Sequence, residues 1–330
     1  MRQKITSILT SLAVIVGVSG GIVSAQTDTN YGMYGSGSST SMSAYSAQYN
    51  SGGGASYTPD SLPSTVPNDG GATAPATQAP PGVYAAMGDS VAAGLGLSPV
   101  ADPTGDDTRC GRSSQGYPNL VAQSKQLRLI NASCSGATVG DIVTKQGVDG
   151  PNVARQLDTA FSAGTPQLIT ITAGANDVHW TEFLKTCYAS NCNTKTANVA
   201  ATALIEGMKL KLAYALQAIS DRSNGQPPVV VVTGYYNPIS NACKGHQNYA
   251  TNAEIDFLNN QRYNLNTAIH NVVGLYSFAR YASTDFTGHA LCSTDSWIQG
   301  LNDNAPIHPT AQGQQHIAEA VLEAAKASSN

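Results

Sequence analysis

From residue 83 onward the chain alternates two hydrophobic rhythms: short apolar runs, and longer stretches in which apolar residues recur every three or four positions. The short runs are Val83–Met87, Arg128–Ala132, Gln167–Thr172, Val229–Thr233 and Leu275–Arg280. Runs of this length and β-branched content predict strands. Between them, Leu204, Met208, Leu212, Ala215 and Ile219 fall on one helical face, as do Ile255, Leu258, Leu265, Ile269 and Val272. A last helix is predicted over Thr310 to Ala325, with Ile317, Val321 and Ala324 on one side. Strands alternating with amphipathic helices predict an α/β fold, a parallel sheet between helix layers. A run such as Val229-Val230-Val231-Val232 suits a strand covered on both faces.

The first 80 residues break this rhythm. Arg2 and Lys4 precede an apolar stretch from Ile5 to Val18, and Val23-Ser24-Ala25 offers small residues for cleavage. Residues 1–25 therefore read as a secretory signal peptide, with no stable membrane span expected after its removal. Residues 26–80 are Ser, Gly, Thr, Ala, Tyr and Pro with almost no Val, Ile, Leu or Phe, which predicts a disordered linker. The globular domain is expected over 81–330.

Composition removes several functions. A net charge of −4 without basic runs argues against nucleic acid. Gly94-Leu95-Gly96 matches neither a dinucleotide fingerprint nor a phosphate loop with its Lys, so no cofactor is expected. The six cysteines, 110, 134, 187, 192, 243 and 292, all lie in the globular part. In an exported chain an even number favours three disulfides, and the lack of Cys-x-x-Cys weakens a metal or redox role. Fifteen pairings are open. The closeness of Cys187 to Cys192 favours sequential pairing.

Four sites fall where strands are predicted to run out into loops. Ser90 in Gly88-Asp89-Ser90 follows the first strand, Gly136 in Cys134-Ser135-Gly136 the second and Asn176 in Gly174-Ala175-Asn176-Asp177 the third. His308 follows the fifth after a long loop. In open α/β sheets that edge holds the ligand. A serine hydroxyl needs a base to take its proton as it attacks, and imidazole has the pKa for that task. A glycine lets a backbone N–H approach a reacting carbonyl, and an asparagine amide supplies a second donor. Each piece alone is ordinary turn chemistry; the combination points to a serine esterase. Of the other histidines, His270 and His316 sit in helical patterns, His179, His246 and His289 in loops. His308 has the better context, since Pro309-Thr310 starts the last helix. Asp177 reads as a structural hydrogen-bonder.

In this order these motifs resemble the SGNH (GDSL-type) hydrolases, and in particular secreted three-disulfide lipases and esterases of actinobacterial type. Cys110-Gly111-Arg112-Ser113, Gly116-Tyr117-Pro118, Cys134-Ser135-Gly136-Ala137-Thr138, Ala173 to Val178 and Gly288-His289-Ala290-Leu291-Cys292 carry the likeness, over nearly all of 83–326. The resemblance implies a flavodoxin-like three-layer α/β/α sandwich with a central parallel sheet. It implies Ser90 as nucleophile, His308 as base, and an oxyanion hole of the Ser90 and Gly136 N–H groups with the Asn176 side chain. It also implies disulfides Cys110–Cys134, Cys187–Cys192 and Cys243–Cys292. Many family members carry an Asp three residues before the histidine; here that position is Ala305, and Asp303 lies two residues further back. The expectation is a Ser–His dyad whose imidazole is oriented by a backbone carbonyl, assigned to Ala305. The substrate is expected to be a small-molecule or lipid ester, handled by a monomer. Carbohydrate deacetylase and phospholipase are the alternatives on the same fold; a catalytically silent exported binding protein is the alternative of another class.

Overall fold

The computed structural model describes residues 81–101, 105–146, 153–245 and 250–326. The expected signal peptide, the expected linker and His246 lie outside the described residues. Five strands form one all-parallel sheet: β1 (Val83–Gly88), β2 (Arg128–Asn131), β3 (Leu168–Thr172), β4 (Val229–Thr233) and β5 (Ala279–Ala282), in the order β2-β1-β3-β4-β5. The central β3 is buried along its whole length, whereas the edge strands β2 and β5 are only partly covered. That difference explains why the middle strands are the most uniformly apolar.

The helices are α1 (Ser90–Ala93), α2 (Gly105–Cys110), α3 (Tyr117–Lys125), α4 (Gln156–Ala160), α5 (Trp180–Ala189), α6 (Lys195–Arg222), α7 (Asn252–Val273) and α8 (Ala311–Ala324). On the sheet α3 covers β2 and α8 covers β4 and β5, and the two helices pack together. α6 pairs with α7, α7 covers β5, and α4 lies on β1 and β2. Met208, Leu212, Ala215 and Ile219 of α6 are fully buried, as the periodicity required. Each of the larger ones contributes roughly 1.5–3 kcal/mol by leaving water. α7 begins with a capping box: Glu254 N–H donates to Thr251 Oγ1, and Thr251 N–H to Glu254 Oε2.

The fifth strand departs from expectation. Leu275 is 76% exposed and sits in the turn that ends α7, its N–H donating to the Val272 carbonyl. The apolar run there joins helix to sheet: the Tyr276 hydroxyl donates to the Ala213 carbonyl of α6, and its ring meets Phe278 edge-on. β5 starts only at Ala279, after that turn closes.

Chain order reverses around β1, which has β2 on one side and β3 on the other. The crevice at such a switch point lies beyond the carboxyl ends of β1 and β3. There Gly88 has φ +131°, and a Cβ on it would lie 2.1 Å from the Thr172 carbonyl oxygen. Only glycine fits that approach. Gln156 of α4 clamps the same residue, accepting from Gly88 N–H (2.6 Å) and donating to Gly88 O (2.9 Å).

Three disulfides join Cys110–Cys134, Cys187–Cys192 and Cys243–Cys292, the pairs that the resemblance implies. Among the described residues no helix is long and apolar enough to cross a membrane.

Candidate active site

Ser90 is the first residue of α1, one turn long. Asp89 caps it, accepting the Val91 N–H on Oδ1 at 2.9 Å, while its own N–H donates to Thr172 O at 2.8 Å. The turn is thereby tied to both β1 and β3. At its other end Gly94 adopts a left-handed conformation, with φ 75°.

His308 reaches Ser90 from the far end of the domain, its Nε2 lying 2.7 Å from Ser90 Oγ. The other ring nitrogen, Nδ1, is 3.1 Å from the Pro306 carbonyl. A carbonyl only accepts, so Nδ1 carries the proton and Nε2 presents its lone pair to the serine. Burial pushes the imidazole pKa down from 6.5, and the carbonyls of Pro306 and Ala305 partly oppose this. Ser90 Oγ–H therefore meets a neutral acceptor at neutral pH.

The orienting carbonyl was expected on Ala305. Nδ1 hydrogen-bonds the Pro306 carbonyl, and the Ala305 carbonyl also acts on the ring while accepting the His308 backbone N–H at 3.2 Å. The cause is local: Ile307 has φ +71°, and this turn faces the Pro306 carbonyl back toward the ring two residues on. Asp303 has a different partner, its Oδ2 accepting the Gly300 N–H at 2.6 Å on the surface. Gln299 ties the histidine loop down: its N–H donates to His308 O (2.7 Å), and its Nε2 to Leu95 O and Pro309 O (both 2.9 Å).

Asn176 lines the same cavity as Ser90 and His308. Its Nδ2 donates one hydrogen to the Ala137 carbonyl at 2.8 Å, which leaves the second N–H of that amide for another acceptor. Gly136 precedes Ala137 in an exposed turn with φ +81° and borders the cavity through that bond rather than lining it. Among the described residues neither the Ser90 nor the Gly136 N–H has a hydrogen-bond acceptor. The Gly136 turn is anchored by the Cys110–Cys134 disulfide and by Ser135, whose N–H and hydroxyl both donate to Cys110 O.

The neighbouring acids have structural partners. Asp177 is buried, accepting the Val139 N–H and pairing with Lys211 Nζ, each at 2.8 Å. Asp89 is fully buried, and burial pushes its carboxyl up to about 7 against the pull of its hydrogen bonds to Tyr235 and the α1 backbone. The remaining described histidines lie elsewhere. His289 stacks on Trp297 with 3.6 Å between centroids, and His316 tilts against the same ring. His270 meets Tyr281 edge-on. His179 is exposed at the start of α5 and does not line the cavity.

The cavity holds about 110 Å³ and is walled by Val91, Ala175, Trp180, Thr181, Leu184, Tyr235, Tyr236, Pro238, Pro306 and Ile307 around Asp89, Ser90, Asn176 and His308. Most of this wall is apolar. Sequence reasoning missed Trp180, Leu184, Tyr235 and Tyr236. The two tyrosines directly follow Gly234 at the carboxyl end of β4, so the rule that selected Ser90, Gly136 and Asn176 would also have selected them.

A parallel α/β/α sandwich carrying this constellation on its carboxyl edge is a carboxylic-ester hydrolase. Residues 86–316 match the GDSL-like Lipase/Acylhydrolase family. Lipase 1 of Streptomyces coelicolor is 31% identical over 255 residues, 74% of this chain and 87% of that protein. An extracellular lipase from Streptomyces rimosus superposes with a TM-score of 0.56 at 26% identity, over 74% of this chain and 99% of that one. Phospholipase A1 from Streptomyces albidoflavus NA297 gives 0.58 at 26% identity, over 74% and 98%. The chain belongs to the GDSL-like Lipase/Acylhydrolase family and has the SGNH hydrolase fold.

Proposed function

We propose that this protein is a secreted serine esterase of the lipase type that cleaves acyl esters through an acyl-enzyme on Ser90. The observation that carries this reading is the 2.7 Å contact between Ser90 Oγ and the unprotonated Nε2 of His308, whose opposite nitrogen is held on a carbonyl. As Oγ attacks the ester carbon, its proton passes to Nε2 and the carbonyl oxygen takes up negative charge. The N–H groups of Ser90 and Gly136 and the spare N–H of Asn176 are the donors for that charge. Collapse expels the alkoxide, which takes the proton from the imidazolium. Water then repeats the sequence on the acyl-enzyme and releases the acid.

Apolar walls around the nucleophile, and relatives described as lipases and a phospholipase A1, support an acyl-lipid or simple acyl ester as substrate. Secretion is supported by the N-terminal pattern of residues 1–25 and by the three disulfides.

The test is a panel of p-nitrophenyl esters of increasing acyl length, with Ser90→Ala as control. Turnover by the wild type and its loss in Ser90→Ala are expected. No turnover on any ester, or equal turnover by the variant, would sink the reading.

A further inference from the structure

Two consecutive residues just after β4, outside the proposed dyad and oxyanion hole, reach the loops of Ser90, Asn176 and His308. The Tyr235 hydroxyl donates to Asp89 Oδ2 at 2.5 Å and accepts the Ala175 N–H at 3.1 Å. Asp89 is the residue before Ser90 and the cap of its helix, and Ala175 is the residue before Asn176. The next residue points to the histidine loop: the Tyr236 hydroxyl donates to the Ile307 carbonyl at 2.8 Å, one residue before His308. Both tyrosines are more than nine-tenths buried.

The pair is itself held on two sides. Asn266 of α7 clamps the Tyr235 backbone, accepting its N–H on Oδ1 and donating from Nδ2 to its carbonyl, each at 2.8 Å. The Tyr236 ring stacks on the fully buried Phe286 with centroids 4.6 Å apart and planes 13° from parallel. Two rigid rings thus span from a strand end in the core to three loops of the site. A hydroxyl with a fixed ring behind it sets its partner's position to the tolerance of one hydrogen bond.

We propose that Tyr235 and Tyr236 are the positioning residues of this enzyme, Tyr235 setting the nucleophile turn against the Asn176 loop and Tyr236 setting the loop that carries the base. The proposal rests on the Ser90–His308 reading. It assigns the hydroxyls no contact with reacting atoms. They act through Asp89, Ala175 and Ile307, so their removal leaves the rings, and the cavity wall these form, in place.

The experiment uses the full chain with Tyr235→Phe, Tyr236→Phe and the double variant Asp89→Asn/Tyr235→Phe, alongside wild type and Ser90→Ala. Each preparation is titrated with a fluorophosphonate so that rates refer to competent sites, and kcat and KM are measured on a soluble p-nitrophenyl ester with a thermal melt beside them. Misplacing a catalytic group by a fraction of an ångström to one ångström costs roughly 10- to 100-fold, so each Phe variant is expected to lose that much in kcat. KM is expected to stay within about twofold, because the ring contacts persist. Tyr235→Phe also leaves a buried carboxylate short of a donor and lowers the melting temperature; adding Asp89→Asn is expected to restore the melt but not kcat.

A kcat within twofold of wild type in either Phe variant overturns the shared role. So does a raised KM at unchanged kcat, or turnover that returns together with the melting temperature in the double variant. If Tyr235→Phe yields no folded protein, the decision falls on Tyr236→Phe, whose ring keeps its stack on Phe286. Failure of the wild type itself to cleave esters would instead strike the dyad reading, so the two failures are distinguishable.

Discussion

Replacing Asp303 with asparagine separates a dyad from a triad more sharply than any change at the dyad itself. In the structure its carboxylate accepts the Gly300 N–H at 2.6 Å, and the residue is exposed. Asparagine keeps an acceptor oxygen for that N–H, so the surface turn loses at most a fraction of one exposed hydrogen bond, well under about 1 kcal/mol of stability. None of that loss is felt in the transition state, and kcat/KM for Asp303→Asn is expected within about threefold of wild type. Were Asp303 the group that orients His308, the same change would cost on the order of 10⁴ in kcat, or roughly 5.5 kcal/mol. The assay is kcat/KM on a soluble p-nitrophenyl ester between about pH 4 and 9, for wild type and variant. Activity needs neutral His308, so the rate rises with pH through the imidazole pKa and then levels. Burial lowers that pKa below 6.5, and the inflection is expected below 6.5 in both proteins. An ionised carboxylate on Nδ1 would raise it. A collapse of three or more orders of magnitude, or an inflection above 6.5 that drops in Asp303→Asn, would refute the carbonyl-held dyad.

Other perturbations follow from the same geometry. Asn176→Ala removes an oxyanion donor and is expected to lower kcat roughly 100- to 1000-fold; a loss under fivefold, read by the same ester assay, would remove Asn176 from the hole. Burial raises Asp89 to about 7 against an ordinary 3.8, so folding takes up a proton between those values and stability falls as pH rises through that window. Asp89→Asn lacks this titration, so its melting temperature relative to wild type should climb from about pH 4 to 7 and level above about 8; a difference that stays flat across the window contradicts a buried, titrating Asp89. The Cys110–Cys134 bridge closes a sequence separation of 24 and should contribute about 3 kcal/mol. The Cys110→Ala/Cys134→Ala double variant should melt lower and also lose turnover per competent site, since the bridge anchors the Gly136 turn; normal turnover by the folded fraction would sever that link.

The sheet was legible because a parallel strand buried on both faces is rich in apolar and β-branched residues, as Val229–Thr233 and Leu168–Thr172 are. The same rule started β5 too early, because Tyr276 and Phe278 pack against the core in the turn between α7 and the sheet while Leu275 is exposed. Periodicity records how much a residue prefers burial, not which neighbour buries it. Ser90, Asn176 and His308 were legible as a constellation, since strand ends and residue chemistry can both be read along the chain. The carbonyl that holds His308 was not. Every residue has one, and the carbonyls of both Pro306 and Ala305 act on the ring.

Tyr235 and Tyr236 show a second reason for illegibility. Their hydroxyls act on partners 146 and 71 residues away, and no local pattern marks those distances. A serine nucleophile and its base are selected by reactivity, which belongs to the side chain itself. The tyrosines matter only for where their oxygens end up once β4, α7 and the Ile307 loop have come together. That difference also explains how the site can lack a carboxylate behind its histidine. A carboxylate holds an imidazole N–H by a charge-assisted bond roughly twice as strong as the bond to a neutral carbonyl. The loop bearing Pro306 must then be fixed from outside, and it is: Gln299 on one side, and the Tyr236 hydroxyl on the Ile307 carbonyl on the other. On the proposed dyad the rigidity of this loop orients the imidazole, so Asp303→Asn is expected to be nearly silent and Tyr236→Phe costly.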